Sequence, residues 1–305
     1  MKTIRIGTRG SKLALWQADW VTAQLRSHGY EVERIIITTT GDVAKQPLSQ
    51  VGGMGLFTKE IQRELLADNV DVAVHSLKDL PTIPVDGLRL AAVPERETTD
   101  DVLISRNGET FEVLPSGARI GTGSLRRAAQ LKNWRTDVEI HEIRGNVDSR
   151  LAKLTAGEFD AIVLAAAGLT RLGLADKITE RFSSDRMLPA VGQGALGLEC
   201  RVDDVDVIAA LRQLNHTASE AEVTAERAML KQLLAGCLAP VAARATVDDD
   251  RLFLSARVLS LDGTEMLAAS AEGSLGNAES IGRELADHML ARGAAELIAA
   301  SRRYA

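Results

Sequence analysis

The run Asp71-Val72-Ala73-Val74-His75-Ser76-Leu77-Lys78-Asp79-Leu80-Pro81 sets the organisation of this chain. Val72 and Val74 alternate within a short apolar segment, the pattern of a buried strand, and Pro81 ends it. Lys78 and Asp79 therefore stand where a strand emerges from its sheet, and in open α/β sheets that carboxyl edge is where ligands bind. Alone, a Lys-Asp pair at a strand end reads as a solvated surface pair. Among further cations it reads as a carboxylate on the floor of a cleft, so the neighbouring segments decide.

Upstream, Thr3 to Gly7 is expected to be a strand, and Ser11 precedes a helix whose apolar face runs through Leu13, Trp16, Trp20, Val21 and Leu25. Arg9-Gly10-Ser11 then occupies a strand-to-helix turn, which offers backbone N–H groups, a hydroxyl and a guanidinium to one small volume, as a carboxylate or phosphate requires. As a purely structural element, Ser11 is an N-cap. Glu33 to Thr40 is a second strand, and the aperiodic stretch from Gly41 to Thr58, with Pro47, Gly52, Gly53 and Gly55, reads as a long lid-like loop. Lys59 to Asp68 is a short amphipathic helix. Alternation of strand and helix implies a mostly parallel sheet.

Downstream, Leu88 to Val93 and Val102 to Ser105 are expected strands separated by a charged linker, and Arg119 to Ser124 repeats the N-terminal arrangement of strand, glycine-bearing turn and helix. Arg126 and Arg127 fall in the first turn of that helix, where cations oppose the macrodipole at about 0.3–1 kcal/mol each. No structural gain is evident from the sequence, and a bound anion would offset the cost. Arg119 to Lys153 holds eight Lys or Arg against four Asp or Glu, a local basic excess in a chain with 36 basic and 42 acidic residues and a net charge of −6. That net charge argues against a protein that holds nucleic acid by general electrostatics. Val138 to Arg144 and Ala161 to Ala165 are further strands, Gly168 to Leu172 is a short helix, and Leu188 to Gly194 is a loop returning towards the first unit. The G-x-G-x-x-G at Gly192, Gly194 and Gly197 follows Pro189 and leads into a strand, the wrong context for a dinucleotide fingerprint. His75 and His141 read as structural or solvated.

Asp203 to Asn215 is an expected helix. Ala218 to Ala235 reads as one long helix closed by Gly236, with Cys237 directly after it. A thiol at a helix C-terminus has a raised pKa, so it would need a strong electrophile to carry a covalent group. Arg251 to Leu259 and Glu265 to Ala271 flank a hairpin turn at Asp262-Gly263, with helices from Ala278 to Leu290 and Ala294 to Arg302: a small antiparallel α+β unit. With 305 residues and 45% hydrophobic composition the chain can fill two or three cores. Cys200 and Cys237 make no disulfide framework, with a single bridge between them open but not signalled, and no apolar run near the N-terminus is long enough for a signal core or a membrane span, so the cytoplasm is the expected location.

The stretches Gly7 to Gln17, Val74 to Pro81, Gly121 to Arg127, Arg144 to Val147, Leu188 to Gly194 and Gly236-Cys237, in that order along nearly the whole chain, closely resemble the porphobilinogen deaminase (hydroxymethylbilane synthase) family. The resemblance implies two periplasmic-binding-protein-like α/β domains, 1–94 plus 195–213 and 99–190, and a C-terminal α+β domain with an antiparallel sheet, 217–305. It implies a transferase of tetrapyrrole biosynthesis in which Cys237 anchors a dipyrromethane cofactor by a thioether. Four porphobilinogen molecules add in turn with loss of ammonia, and linear hydroxymethylbilane is released.

Asp79 takes the catalytic role in this reading, binding pyrrole N–H groups, stabilising the cationic azafulvene left when ammonia departs, and relaying protons. That electrophile would alkylate an unactivated Cys237. Each pyrrole carries two carboxylates, and the implied donors are Arg9, Ser11 and Lys78 in the first unit, with Thr122, Ser124, Arg126 and Arg127 in the second. Arg144, Asn146, Arg150, Arg171 and Gln193 complete the set, while Met54, Phe57 and Lys59 belong to the lid. Met54 departs from the Lys common there among bacterial members, which leaves Lys59 to supply charge, and Ala235 replaces a common Gly. The implied partner is porphobilinogen, with no metal, nucleic acid or membrane, and the implied form is a monomer. A bilobed binding module for a carboxylate solute is the alternative; it accounts for the paired units and the arginines but not for Cys237 or the third unit.

Overall fold

The computed structural model describes residues 3–39, 55, 58–235 and 239–302; Met54, Phe57 and Cys237 lie outside them. Strand β1 (Ile4–Thr8) pairs in parallel with β2 (Val32–Ile36) and with β3 (Val72–Ser76), with Ile6 opposite Val72. The sheet continues through an antiparallel strand, β10 (Leu196–Arg201), to β4 (Leu88–Ala92), giving the order β2-β1-β3-β10-β4. The sheet is mostly parallel, as expected, with one reversed strand in its interior.

Helix α1 (Lys12–Ser27) is capped by Ser11, whose hydroxyl accepts the Ala14 N–H, and buries Ala14, Gln17, Ala18, Val21 and Leu25. Its core face is therefore not the one expected through Leu13 and Trp16, for Trp16 remains 37% exposed. Both lean towards the second unit: Leu13 approaches Gly168, and the Arg171 guanidinium lies over the Trp16 ring, 5.7 Å from its centroid. Helix α2 (Lys59–Leu66) covers the sheet with Ile61 and Leu65.

The second sheet repeats the first. Strands β5 (Asp101–Ser105), β6 (Arg119–Gly121), β7 (Glu139–His141), β8 (Ala161–Ala165) and β9 (Glu180–Arg181) take the order β7-β6-β8-β5-β9, with β5 antiparallel to its neighbours. Helices α3 (Leu125–Trp134), α4 (Val147–Thr155) and α5 (Ala166–Arg171) follow β6, β7 and β8. The reversed strand of each sheet is the one that receives a crossover: 93–100 enters β5, and 182–195 enters β10. The crossovers touch where the Glu97 N–H donates to the Gly194 carbonyl; a Cβ at Gly194 would lie 2.3 Å from the Glu97 oxygen, and its φ of +86° disfavours any other residue.

After helix α6 (Val205–Arg212), the third unit comprises α7 (Thr217–Gln232), β11 (Val241–Asp248), β12 (Arg251–Leu259), β13 (Met266–Ser274), α8 (Ala278–Leu290) and α9 (Ala294–Arg302). Its antiparallel sheet has three strands in the order β11-β12-β13. The sequence reading contains only the last two. Helix α7 ends at Gln232 rather than Ala235; beyond it Leu234 is left-handed, at φ +51°, and Gly236 lies outside the described residues.

Among the contacts that tie this unit to the others, three bear on the cleft and the crossovers. Arg227 of α7 donates to the Leu80 and Pro81 carbonyls (2.8 and 2.7 Å), just past Asp79. Gly263, in the β12–β13 turn, meets α3 so closely that a Cβ would lie 2.6 Å from the Ala129 carbonyl oxygen. Glu226, fully buried on α7, accepts two bonds from Arg96 (2.9 and 3.0 Å), one from the Gly192 N–H and one from the Ala245 N–H. Arg96 and Gly192 belong to different crossovers, so one carboxylate clasps both to the third unit.

Candidate active site

The turn Leu77–Asp79 that follows β3 brings Lys78 and Asp79 to the carboxyl edge of the first sheet. Together with Arg9 and Ser11 from the β1–α1 turn and Gln17 from α1, they line a cavity of about 100 Å³. Gln17 donates to the Ser76 hydroxyl at 2.8 Å, which fixes the strand end against the helix. His75, also on the cavity wall, lies 3.1 Å from Glu199 of β10, and Gln62 donates to both Glu199 oxygens. This buried His75 contact accords with its structural reading.

The second sheet presents its own edge. Thr122 is buried and its hydroxyl accepts the Ser124 N–H; Ser124 caps α3 by accepting the Arg127 N–H. Arg126 and Arg127 are 5% and 6% exposed, not the exposed pair that a macrodipole argument assumes. Both bind Asp101, the first residue of β5: Arg126 Nη1 at 2.6 Å, Arg127 Nε at 2.9 Å and Nη2 at 2.7 Å. The expected lack of structural gain is thereby corrected, because a buried carboxylate offsets their cost from within. Burial would raise the Asp101 carboxyl, but the two guanidinium groups hold it well below the usual carboxylate range. Burial also lowers Arg126, with Asp101 opposing. Gln193 of the return loop donates to Asp101 at 2.9 Å and to the Thr99 carbonyl at 2.7 Å.

The edges face one another, as their charges show. Burial pushes the Lys78 ammonium down to about 8; Asp79 opposes the fall and Arg127 adds to it. Arg150 falls to about 10 through burial and through Arg127 and Arg144, with Asp79 opposing. Asn146 caps α4 by accepting the Ser149 N–H, Arg150 donates to the Gly145 carbonyl, and Arg144 pairs with Glu142 at 2.6 Å. Arg171 donates to the Gly194 carbonyl at 2.7 Å. Lys12 and Asp148 form an ion pair at 2.7 Å between α1 and α4, spanning the two units. Lys59 opens α2 as an exposed residue outside the cavity lining, while Met54 and Phe57 of the expected lid, and Cys237, fall outside the described residues.

Asp101, Arg96, Glu226 and Arg227 were not singled out by sequence reasoning. Asp101 sits in the run Thr98-Thr99-Asp100-Asp101, where nothing distinguishes it from Asp100 as a surface charge. The one available signal was the unexplained arginine pair, which called for a buried anion.

The sequence profile of the porphobilinogen deaminase dipyromethane cofactor binding domain matches residues 4–209, and that of the porphobilinogen deaminase C-terminal domain matches 220–291. The chain belongs to the porphobilinogen deaminase family. The porphobilinogen deaminase of Corynebacterium efficiens is 47% identical over 299 residues, covering 97% of this chain and 99% of that one. That of Geobacter sulfurreducens is 49% identical over 302 residues, covering 98% and 95%. Among solved structures, the methionine binding protein MetQ covers 70% of this chain and 89% of its own at 11% identity and a TM-score of 0.45. Membership of the porphobilinogen deaminases makes the protein a transferase, a hydroxymethylbilane synthase of porphyrin biosynthesis with a dipyrromethane cofactor binding domain. Among the described residues no helix is long and apolar enough to cross a membrane.

The residues present fit such a cofactor. Lys78, Arg126, Arg127 and Arg150 outnumber Asp79 and Asp101 where the sheet edges meet, leaving positive charge for ligand carboxylates. Among the described residues, Arg126 Nε and Gln193 Oε1 are buried without a hydrogen-bond partner, the state of groups prepared for a ligand that accepts and donates.

The depressed Lys78 has a measurable consequence in protein prepared free of cofactor, as judged by intact mass. Its folded value of about 8 lies below the ordinary 10.5, so between those pH values the unfolded chain holds a proton that the folded chain has released. Stability from this group therefore rises with pH across that window, and at pH 7 the buried ammonium is a cost. Adding Lys78→Met should raise stability to urea at pH 7 by about 1–2 kcal/mol once partial exposure is allowed for, and the gain should vanish above pH 10.5. A variant less stable at pH 7 would show Lys78 to be net stabilised by its neighbours.

Proposed function

We propose that the protein condenses four porphobilinogen molecules in turn onto a dipyrromethane primer held covalently by Cys237, losing one ammonia at each coupling and finally releasing linear hydroxymethylbilane by hydrolysis. The observation that carries this reading is the meeting of one carboxylate, Asp79, with Lys78 and a bank of buried arginines across the cleft between two sheets. When bound, the cofactor supplies the free α-carbon of its terminal pyrrole as the nucleophile.

The remaining work falls to side chains. Asp79, on a single turn buttressed by Arg227, accepts pyrrole N–H groups, stabilises positive charge as ammonia leaves the substrate, and takes the proton released on coupling. Arg126, Arg127 and Arg150, with Arg144, Arg171, Arg9 and Lys78, receive acetate and propionate groups, and the hydroxyls of Ser11, Thr122 and Ser124 and the amides of Asn146 and Gln193 orient them. In this scheme 1–94 plus 195–213 carries Asp79, 99–190 carries the arginine bank and 217–305 carries Cys237. Met54, Phe57 and Lys59 form the lid, in which Met54 brings no charge. The proposed setting is the cytoplasm, as a monomer acting without nucleic acid.

Denaturing intact mass of the wild type beside Cys237→Ser tests the anchor. The expected result is a wild-type excess equal to two porphobilinogen units less two ammonias, absent from the variant. A wild type that shows no excess, and gains none on incubation with porphobilinogen, favours the carboxylate-binding module instead.

A further inference from the structure

The two arginines at the start of α3 are not equivalent, and Asp101 makes them different. Arg127 turns its Nε–Nη2 edge, the fork that grips a carboxylate with two parallel bonds, onto Asp101 Oδ1, and its Nη1 donates to the Val163 carbonyl at 3.0 Å. Arg126 gives Asp101 only Nη1, which also donates to the Leu188 carbonyl at 2.6 Å. Its own Nε–Nη2 edge makes no hydrogen bond to the protein among the described residues, and Nε is buried. Asp101 also receives Gln193 from the return crossover, so a single buried carboxylate joins β5, that crossover and both guanidinium groups.

We propose that Asp101 is a positioning residue for the coupling reaction: by occupying the fork of Arg127 and the tip of Arg126, it leaves the fork of Arg126 aimed for a ligand carboxylate. The inference rests on the proposed role of Arg126 in holding pyrrole carboxylates and narrows that of Arg127, whose fork Asp101 already fills. A protein carboxylate inside an anion site would weaken binding if it merely competed. Here it separates two like charges that burial would otherwise set against each other, and one unit of positive charge remains for the ligand. Arg127 is then a support for Arg126 more than a ligand contact.

The test uses full-length holoenzyme preparations of Asp101→Asn, Asp101→Gly and Arg126→Leu, each characterised by thermal melting, denaturing intact mass and steady-state kinetics with porphobilinogen. Asp101→Asn should remain folded and lose kcat/KM by about 30-fold or more, or fail to carry the cofactor mass. Asp101→Gly should be equally impaired, and sodium formate should restore about tenfold of its activity saturably where sodium chloride does not. Formate should do nothing for Asp101→Asn, whose amide fills the space. Three results would overturn the inference: Asp101→Asn within threefold of wild type, a folded Asp101→Gly indifferent to formate, or both variants failing to fold, which would assign Asp101 to folding alone. Arg126→Leu separates this inference from the reading it rests on. Full activity in Arg126→Leu removes the arginine from ligand binding, whereas an inactive Arg126→Leu beside an active Asp101→Asn removes only Asp101.

Discussion

Asp79→Asn is expected to carry the same cofactor mass as the wild type and to turn over about a thousandfold more slowly. The substitution keeps the size of the side chain and an acceptor oxygen for pyrrole N–H groups. In the proposed mechanism it removes the negative charge that opposes the positive charge developing on the substrate, and the site that takes up a proton after coupling. Geometry should survive, because the turn Leu77–Asp79 is held by the Leu80 N–H on the Leu77 carbonyl and by Arg227 on the two carbonyls beyond it. Porphobilinogen consumption measured beside intact mass decides the matter: turnover within fivefold of wild type would take Asp79 out of the chemistry.

The largest expected effect on stability lies away from the cleft. Arg96→Met should destabilise the protein by about 3–5 kcal/mol, the usual loss when one partner of a buried ion pair is removed and the other stays behind. Glu226 is fully buried, and without Arg96 its hydrogen-bond partners among the described residues are the Gly192 and Ala245 N–H groups. Chemical unfolding of wild type and variant at pH 7 gives the difference directly. Glu226→Gln in the same background should recover part of the loss, since the neutral amide relieves the unpaired charge; no recovery would mean that packing of the Arg96 stem, not charge, holds the junction.

Much of the fold could be read from local pattern. Ser11 caps α1 as expected, Lys78 and Asp79 emerge from a buried strand, and the second α/β unit repeats the first. What escaped was set by distant partners. β11 begins Val241-Ala242-Ala243-Arg244-Ala245, an alanine-rich run with little intrinsic strand preference, and is a strand because β12 pairs with it along its length. Leu13 and Trp16 have helical spacing with the core residues of α1 but serve the contact with the second unit, which periodicity does not separate from a core. At the site, the arginine pair was visible as an anomaly, while its counter-ion lay 25 residues earlier in the chain on the far side of a strand pairing. Glu226 was hidden in the same way, as one acidic residue on a helix that holds several.

The reversed strand β10 governs the order in which the nascent chain can mature. The second sheet is contiguous in sequence, from 101 to 181, whereas the first lacks an interior strand until 196–201 has been made. As the chain leaves the ribosome, β3 waits with one edge unpaired and β4 without its neighbour, although both were translated before any strand of the second sheet. The lobe that begins the protein is the later to close. A chain truncated between 181 and 195 is expected to contain a folded second lobe attached to an adhesive, incomplete first one, so aggregation of early termination products should trace to β3 and β4.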